Sequence, residues 1–139
     1  MNVNTKVAIG IGFVAVLFAL INGQVKKTRT EQLLKDSNYL TFGQVISFGY
    51  SQGGASAPAR YSFSVNNKKF ENSFSRNTFC KKLSQKDKDY IKNIKLPILY
   101  HPPKPEVSIL LVKRSDYKKY GIDYPDSLAN VLQTYFECD

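Results

Sequence analysis

Between residues 59 and 75 the hydrophobic and polar positions alternate with a period of two. Ala59, Tyr61, Phe63 and Val65 fall on one face, and Arg60, Ser62, Ser64 and Asn66 on the other. Asn66 and Asn67 tolerate positive φ and read as a tight turn. Beyond them Phe70 and Phe74 share a face, opposite Lys69, Glu71, Ser73 and Ser75. The pattern predicts a β-hairpin with one buried side. Residues 39–50 predict a further strand, with Leu40, Phe42, Ile46, Phe48 and Tyr50 on the apolar face, interrupted by Gln44. Thr41, Gly43, Ser47 and Gly49 lie opposite. Residues 96–112 read as a strand (96–100), a proline-stiffened corner (101–106) and a second strand (107–112). Prolines fix φ and remove backbone donors, so Pro102, Pro103 and Pro105 are all assigned to the bend.

Helical signals surround these strands. Ser84-Gln-Lys-Asp87 resembles a capping box with Leu83 as its staple, opening a short charged helix to about Asn93. Residues 115–120 fit a helical turn stopped by Gly121. After Tyr124-Pro125-Asp126-Ser127, residues Leu128, Val131, Leu132, Tyr135 and Phe136 form one apolar stripe at helical spacing. That stripe suits docking against the sheet, since its polar face has no Lys or Arg for a membrane surface. Ser51 to Pro58 is a small-residue loop without the Gly-Lys-Ser/Thr of a phosphate cradle. The fold class expected is therefore mainly β with short helices (α+β), a small antiparallel β barrel or sandwich.

The N-terminus has a different character. Val7 to Val25 (VAIGIGFVAVLFALINGQV) carries no charge and is apolar on all faces. As a helix it spans about 28 Å, close to the roughly 30 Å of a bilayer's hydrocarbon core. The domain plan is thus an N-terminal transmembrane anchor over 1–25, a linker over 26–38 and the β domain over 39–139. In the linker, Thr30 is a candidate N-cap of a short helix. A cleaved signal peptide is the rival reading. Ile21-Asn22-Gly23 makes a marginal cleavage site, and no cysteine follows for a lipid anchor, so the uncleaved anchor is preferred. Lys26, Lys27, Arg29 and Lys35 follow the run and only Lys6 precedes it, which by the positive-inside rule keeps the domain in the cytoplasm. A short basic segment before an apolar run acts as an export signal and points the other way. Export is preferred, giving a single-pass protein of a bacterial inner membrane with its domain in the periplasm.

Charge narrows the partners without choosing among them. The net charge is +9, and residues 68–119 hold 14 Lys or Arg against 5 Asp or Glu. Such a surplus suits anionic lipid, an acidic protein or nucleic acid. The two cysteines, Cys80 and Cys138, have neither zinc spacing nor the count of a disulfide framework. In an oxidising compartment they can form one bridge; otherwise they are two unpaired thiols.

With these pieces assembled, the domain resembles a family of small membrane-anchored bacterial proteins of unknown function, common among Bacteroidetes. The matching stretches are Gly43-Gln44-Val45, the hairpin Arg60 to Phe70, and a Tyr-x-Pro-x-x-Pro motif at Tyr100, Pro102 and Pro105, with Pro103 between. A Ser-x-x-Leu strand at Ser108-Ile109-Leu110-Leu111 completes the pattern. The resemblance covers about residues 38–112 and implies a small antiparallel β domain, with no chemistry. This chain departs from simpler members by its charged segment 84–95 and its C-terminal helix.

Candidate chemistry is sparse. His101, the sole histidine, reads as a solvent-facing corner residue, with no Ser-centred elbow or Cys-His spacing beside it. Asp87 with Asp89, and Asp123 with Asp126, lack the Gly and terminal Glu of a calcium loop, and helix capping accounts for Asp87 and Asp126. No catalytic residue, cofactor, metal or small-molecule substrate is expected. Lys68-Lys69-Phe70 and Lys81-Lys82 are the candidates for nucleic-acid contact, but the aromatics alternate inward as a core requires. The expected function is a non-enzymatic, anchored protein-binding domain of the envelope, such as an accessory subunit of a secretion complex. The alternative is an immunity protein that neutralises a toxin, with a basic nucleic-acid binder behind both.

Overall fold

The computed structural model describes residues 3–37, 39–52 and 55–137, with side chains at 16–37, 39–50 and 57–137. The chain divides into two compact units, residues 1–33 and 34–139.

Among its described residues the first unit is helix. Helix α1, Val3–Ser37, is 35 residues long and runs on into the second unit. The expected linker is therefore continuous helix through Ser37, and Thr30 is an interior residue instead of a cap. Residues 24–37 contain no Gly or Pro and are rich in Lys, Gln, Glu and Leu, which propagate a helix at little cost. Thr28 donates its hydroxyl back to the Gln24 carbonyl at 3.0 Å, the local bond that lets Thr sit within a helix. The apolar run expected to cross a membrane starts in residues whose side chains lie outside the described set. Among the described residues no helix is long and apolar enough to cross a membrane.

The second unit is α+β. Strands β1 (Tyr39–Ser47), β4 (Ala59–Val65), β5 (Lys68–Phe74), β6 (Leu96–His101) and β7 (Lys104–Leu110) form one antiparallel sheet in the order β5-β4-β1-β6-β7. A two-residue ladder, β2 (Ser51–Gln52) with β3 (Ala55–Ser56), occupies the loop after β1. The sheet curls until its outer strands meet. Asn72 on β5 donates its side-chain amide to the Glu106 carbonyl at 3.0 Å and to the Ser108 hydroxyl at 3.1 Å, both on β7. This is a nearly closed barrel, the first of the two expected forms.

The β4–β5 hairpin forms as its alternation predicts. Ala59, Tyr61 and Phe63 are buried while Arg60 and Ser64 are exposed, and Asn66 and Asn67 turn with φ of 50° and 62°. β1 does the opposite of what its pattern predicts. Val45 is 1 % exposed, whereas Leu40 is 48 % and Phe42 60 % exposed. Thr41, Gly43 and Val45 are its inward positions, and the reason lies in its neighbours. β1 is the central strand, and at Gly43 an added Cβ would sit 2.3 Å from the Ser62 carbonyl oxygen and 2.4 Å from Ile98 Cδ1. Only glycine fits that approach. A bulge then places Val45, Ile46 and Ser47 opposite Tyr61 and Arg60. One extra residue reverses the parity, so Phe48 packs against the core although Leu40 and Phe42 do not.

The proline corner is shorter than expected. β6 extends to His101 and β7 begins at Lys104, so only Pro102 and Pro103 turn and Pro105 lies inside β7. An outer strand tolerates a proline because one row of its donors has no ladder partner. β6 itself, central and proline-bearing, has Leu96, Pro97, Ile98 and Leu99 all buried.

The helices close the core. Helix α2 (Gln85–Asn93) has the full capping box of Ser84 and Asp87 and buries Ile91. Helix α3 (Arg114–Tyr120) ends at Gly121, whose φ is 65°, and the Tyr117 hydroxyl donates to the Leu111 carbonyl at 2.9 Å. The last helix is less regular than its stripe predicts. It runs as a 3₁₀ turn (Asp126–Leu128), helix α4 (Ala129–Leu132) and a π turn (Gln133–Glu137). Leu132 and Phe136 are nevertheless buried and Leu128 and Tyr135 pack beside them, so the stripe docks on the barrel as expected.

Candidate functional site: a basic cleft at the end of β1

The residue types best suited to recognition converge beside the end of β1. There a cleft of about 550 Å³ is lined by Phe48, Gly49 and Tyr50, by the 76–83 segment and by Lys88 of α2. Among the described residues four cations reach it, Arg76, Lys81, Lys82 and Lys88, and no carboxylate lines it.

Each wall is held by local chemistry. Gly49 adopts φ 70°, where any side chain would be strained, and a Cβ there would lie 2.3 Å from the Ala57 carbonyl oxygen. Ala57 returns its N–H to the Tyr50 carbonyl at 2.8 Å. The second wall starts at Ser75, whose hydroxyl accepts from the Asn77 N–H at 3.3 Å and so caps a 3₁₀ turn at Arg76–Thr78. Phe79 then fastens this wall. Its ring lies 5.5 Å from Phe48, 5.5 Å from Phe74 and 5.1 Å from Phe136. Next to it the Cys80 N–H donates to the Tyr135 carbonyl at 3.1 Å, which gives a partner to one carbonyl of the irregular last helix. The third wall is the start of α2, oriented by the Ser84–Asp87 box.

The cations differ in how they are occupied. Lys81 lies 3.8 Å from the Asp87 carboxylate and 4.5 Å from the centre of the Tyr135 ring. Hydrogen bonds from the Ser84 hydroxyl and N–H, with Lys81 nearby, hold the Asp87 carboxyl below its usual range. Arg76, Lys82 and Lys88 make no ion pair among the described residues. Three like charges therefore face one concavity, an arrangement that raises the local concentration of anions.

The other sequence candidates lie elsewhere. Lys68 and Lys69 sit on the hairpin, Lys68 over the Phe70 ring at 5.5 Å and Lys69 paired with Glu71 at 3.0 Å. Of the two basic pairs only Lys81-Lys82 enters the cleft. His101 is not bare: its Nδ1 lies 2.5 Å from the Ser37 hydroxyl oxygen, tying the end of α1 to β6. Among the described residues its ring makes no other side-chain bond. No group of three His, Cys, Asp or Glu among the described residues is arranged to hold a metal. Cys80 is disulfide-bonded, and Cys138 lies outside the described residues.

The residues of the Tyr-x-Pro-x-x-Pro and Ser-x-x-Leu motifs act in the barrel itself. Tyr100 packs its ring 6.1 Å from Phe63 and 6.2 Å from Tyr39. Ser108 meets the Tyr61 hydroxyl at 3.0 Å at the seam between β5 and β7. Burial pushes the Tyr61 phenol up to about 12, which keeps it neutral there. A smaller cavity of about 280 Å³ adjoins that seam.

Arg76, Lys88, Phe48 and Phe79 are absent from the sequence candidates. They come from three separate stretches whose only shared signal is charge or aromaticity, and nothing in their spacing brings those stretches together. No protein-family model matches the chain, and no curated protein or solved structure matches it either.

Proposed function

We propose that this protein is a membrane-anchored, non-enzymatic binding domain of the bacterial envelope, an accessory subunit that docks another protein in the cleft beside β1. The observation that carries the reading is the convergence of Arg76, Lys82 and Lys88, unpaired among the described residues, on one concave surface. Concave sites with few convergent polar groups are where binding concentrates. The seam offers less. Asn72 already occupies the facing edges of β5 and β7, so strand addition there would have to displace it.

Residues 7–25 supply the anchor in this proposal. Val16, Leu17, Phe18, Leu20, Ile21 and Val25 are all exposed on α1, and an apolar surface of that extent calls for a cover such as lipid. The disulfide at Cys80 supports a domain on the exported side, since such bonds persist in oxidising compartments. We take its partner to be Cys138, the other cysteine of the chain.

Site-specific photo-crosslinking in intact cells tests the reading. A crosslinking residue at Lys82 is expected to capture one envelope protein, while the same residue at Lys104, outside the cleft, captures none. Equal capture from both positions, or none from Lys82, would overturn it.

A further inference from the structure

We infer that the occupant of the cleft is an acidic polypeptide segment, which names the partner class and rests on the docking reading above. The charge asymmetry is the first reason. Among the described residues the lining holds four cations and no carboxylate, so an occupant bearing Asp or Glu side chains meets complementary charge at Arg76, Lys82 and Lys88.

The aromatic residues separate a polypeptide from a nucleic acid. Single-strand binding depends on successive ring faces left free for bases. Here Phe48 and Phe79 lie ring to ring at 5.5 Å, and Phe79 also meets Phe74 and Phe136. Lys92 lies over Phe48 at 5.8 Å. Of these rings only Phe48 and Phe79 line the cleft, and they pack against each other instead of offering a stack of free faces. Tyr50, 66 % exposed, remains as one accessible ring at the rim. One free phenol suits a single apolar side chain of a peptide, flanked by carboxylates that reach the cations.

The test uses the full chain reconstituted in phosphatidylcholine nanodiscs and fluorescence anisotropy. The probes are a short Asp/Glu-rich peptide with one central aromatic residue, a single-stranded oligodeoxynucleotide of equal charge, and phosphatidylglycerol vesicles. The triple variant Arg76→Glu, Lys82→Glu, Lys88→Glu is compared with Lys68→Glu, Lys104→Glu, Lys118→Glu, which changes the net charge equally outside the cleft. The acidic peptide is expected to bind the wild type and the control variant alike, and the cleft variant at least about tenfold more weakly. A Lys-rich peptide is expected to bind the cleft variant in its place, an outcome a misfolded protein would not produce. Equal losses in both variants would reduce the effect to net charge and sink the inference. Tighter binding of the oligonucleotide or the vesicles, lost in the cleft variant, would replace the acidic segment by that ligand. If the peptide fails to bind while crosslinking from Lys82 still captures a protein, the docking reading stands and the acidic occupant falls.

Discussion

β4 and β1 are neighbours in one barrel, and both alternate in sequence, yet only β4 turns its apolar face inward along its whole length. β4 is half of a hairpin closed by Asn66 and Asn67, and its inward residues Ala59, Tyr61 and Phe63 are fully buried. β1 lies between β4 and β6 and has to satisfy both. Its inward positions are the small or short ones, Thr41, Gly43 and Val45, while Leu40 and Phe42 face out. The difference shows what sets a strand's orientation. A hairpin takes its register from its own turn, whereas a central strand takes it from the space its two neighbours leave.

The sharpest way to break this comparison is a pair of truncations. Phe63→Ala is expected to cost about 3–5 kcal/mol, as for large buried aromatics. Phe42→Ala, in the adjacent strand, is expected to stay within about 0.5 kcal/mol, as surface changes do. Urea unfolding of both variants decides the matter, and a larger loss at Phe42 would mean that β1 is turned the other way. Gly43→Ala comes next, at about 1–3 kcal/mol from overpacking against Ile98 and the Ser62 backbone. A neutral or stabilising result in thermal melts would show that the strands do not approach so closely there.

The smallest expected effect concerns a purely local element. Ser84→Ala removes the side-chain cap of α2 and is expected to cost about 1 kcal/mol. Asp87, held below the usual carboxylate range by its bonds from Ser84, adds a pH dependence. Its folded pKa is lower than its unfolded one, so its contribution is present above the unfolded value and is lost as pH falls through the folded one. Urea midpoints measured from neutral to acid pH should therefore fall less steeply in Ser84→Ala than in the wild type. Parallel curves would remove Asp87 from the account of acid stability.

Much of this protein is readable residue by residue. The β4–β5 hairpin, the Ser84 box, the stop at Gly121 and the apolar stripe from Leu128 to Phe136 each depend on contacts within a few positions or on a repeating period, and a linear pattern contains those in full. The proline corner is partly of this kind. Pro102 and Pro103 turn the chain as their chemistry requires, but Pro105 enters β7 because that strand lies at the edge of the sheet, a property of the assembled barrel. The orientation of β1 is decided wholly by the assembled barrel, through the approach at Gly43 and the bulge at Val45–Ser47. So is the seam, where Asn72 reaches β7 from 34 positions away in sequence. The cleft is the extreme case. Lys82 belongs to a basic pair that the sequence already singles out, but Arg76 and Lys88 are ordinary surface cations there, and the packing of Phe79 against Phe48 and Phe136, with the cap that starts α2, brings all three to one cleft. Periodicity and capping are short-range and so are written locally, while convergence of charge depends on where distant backbone segments come to rest.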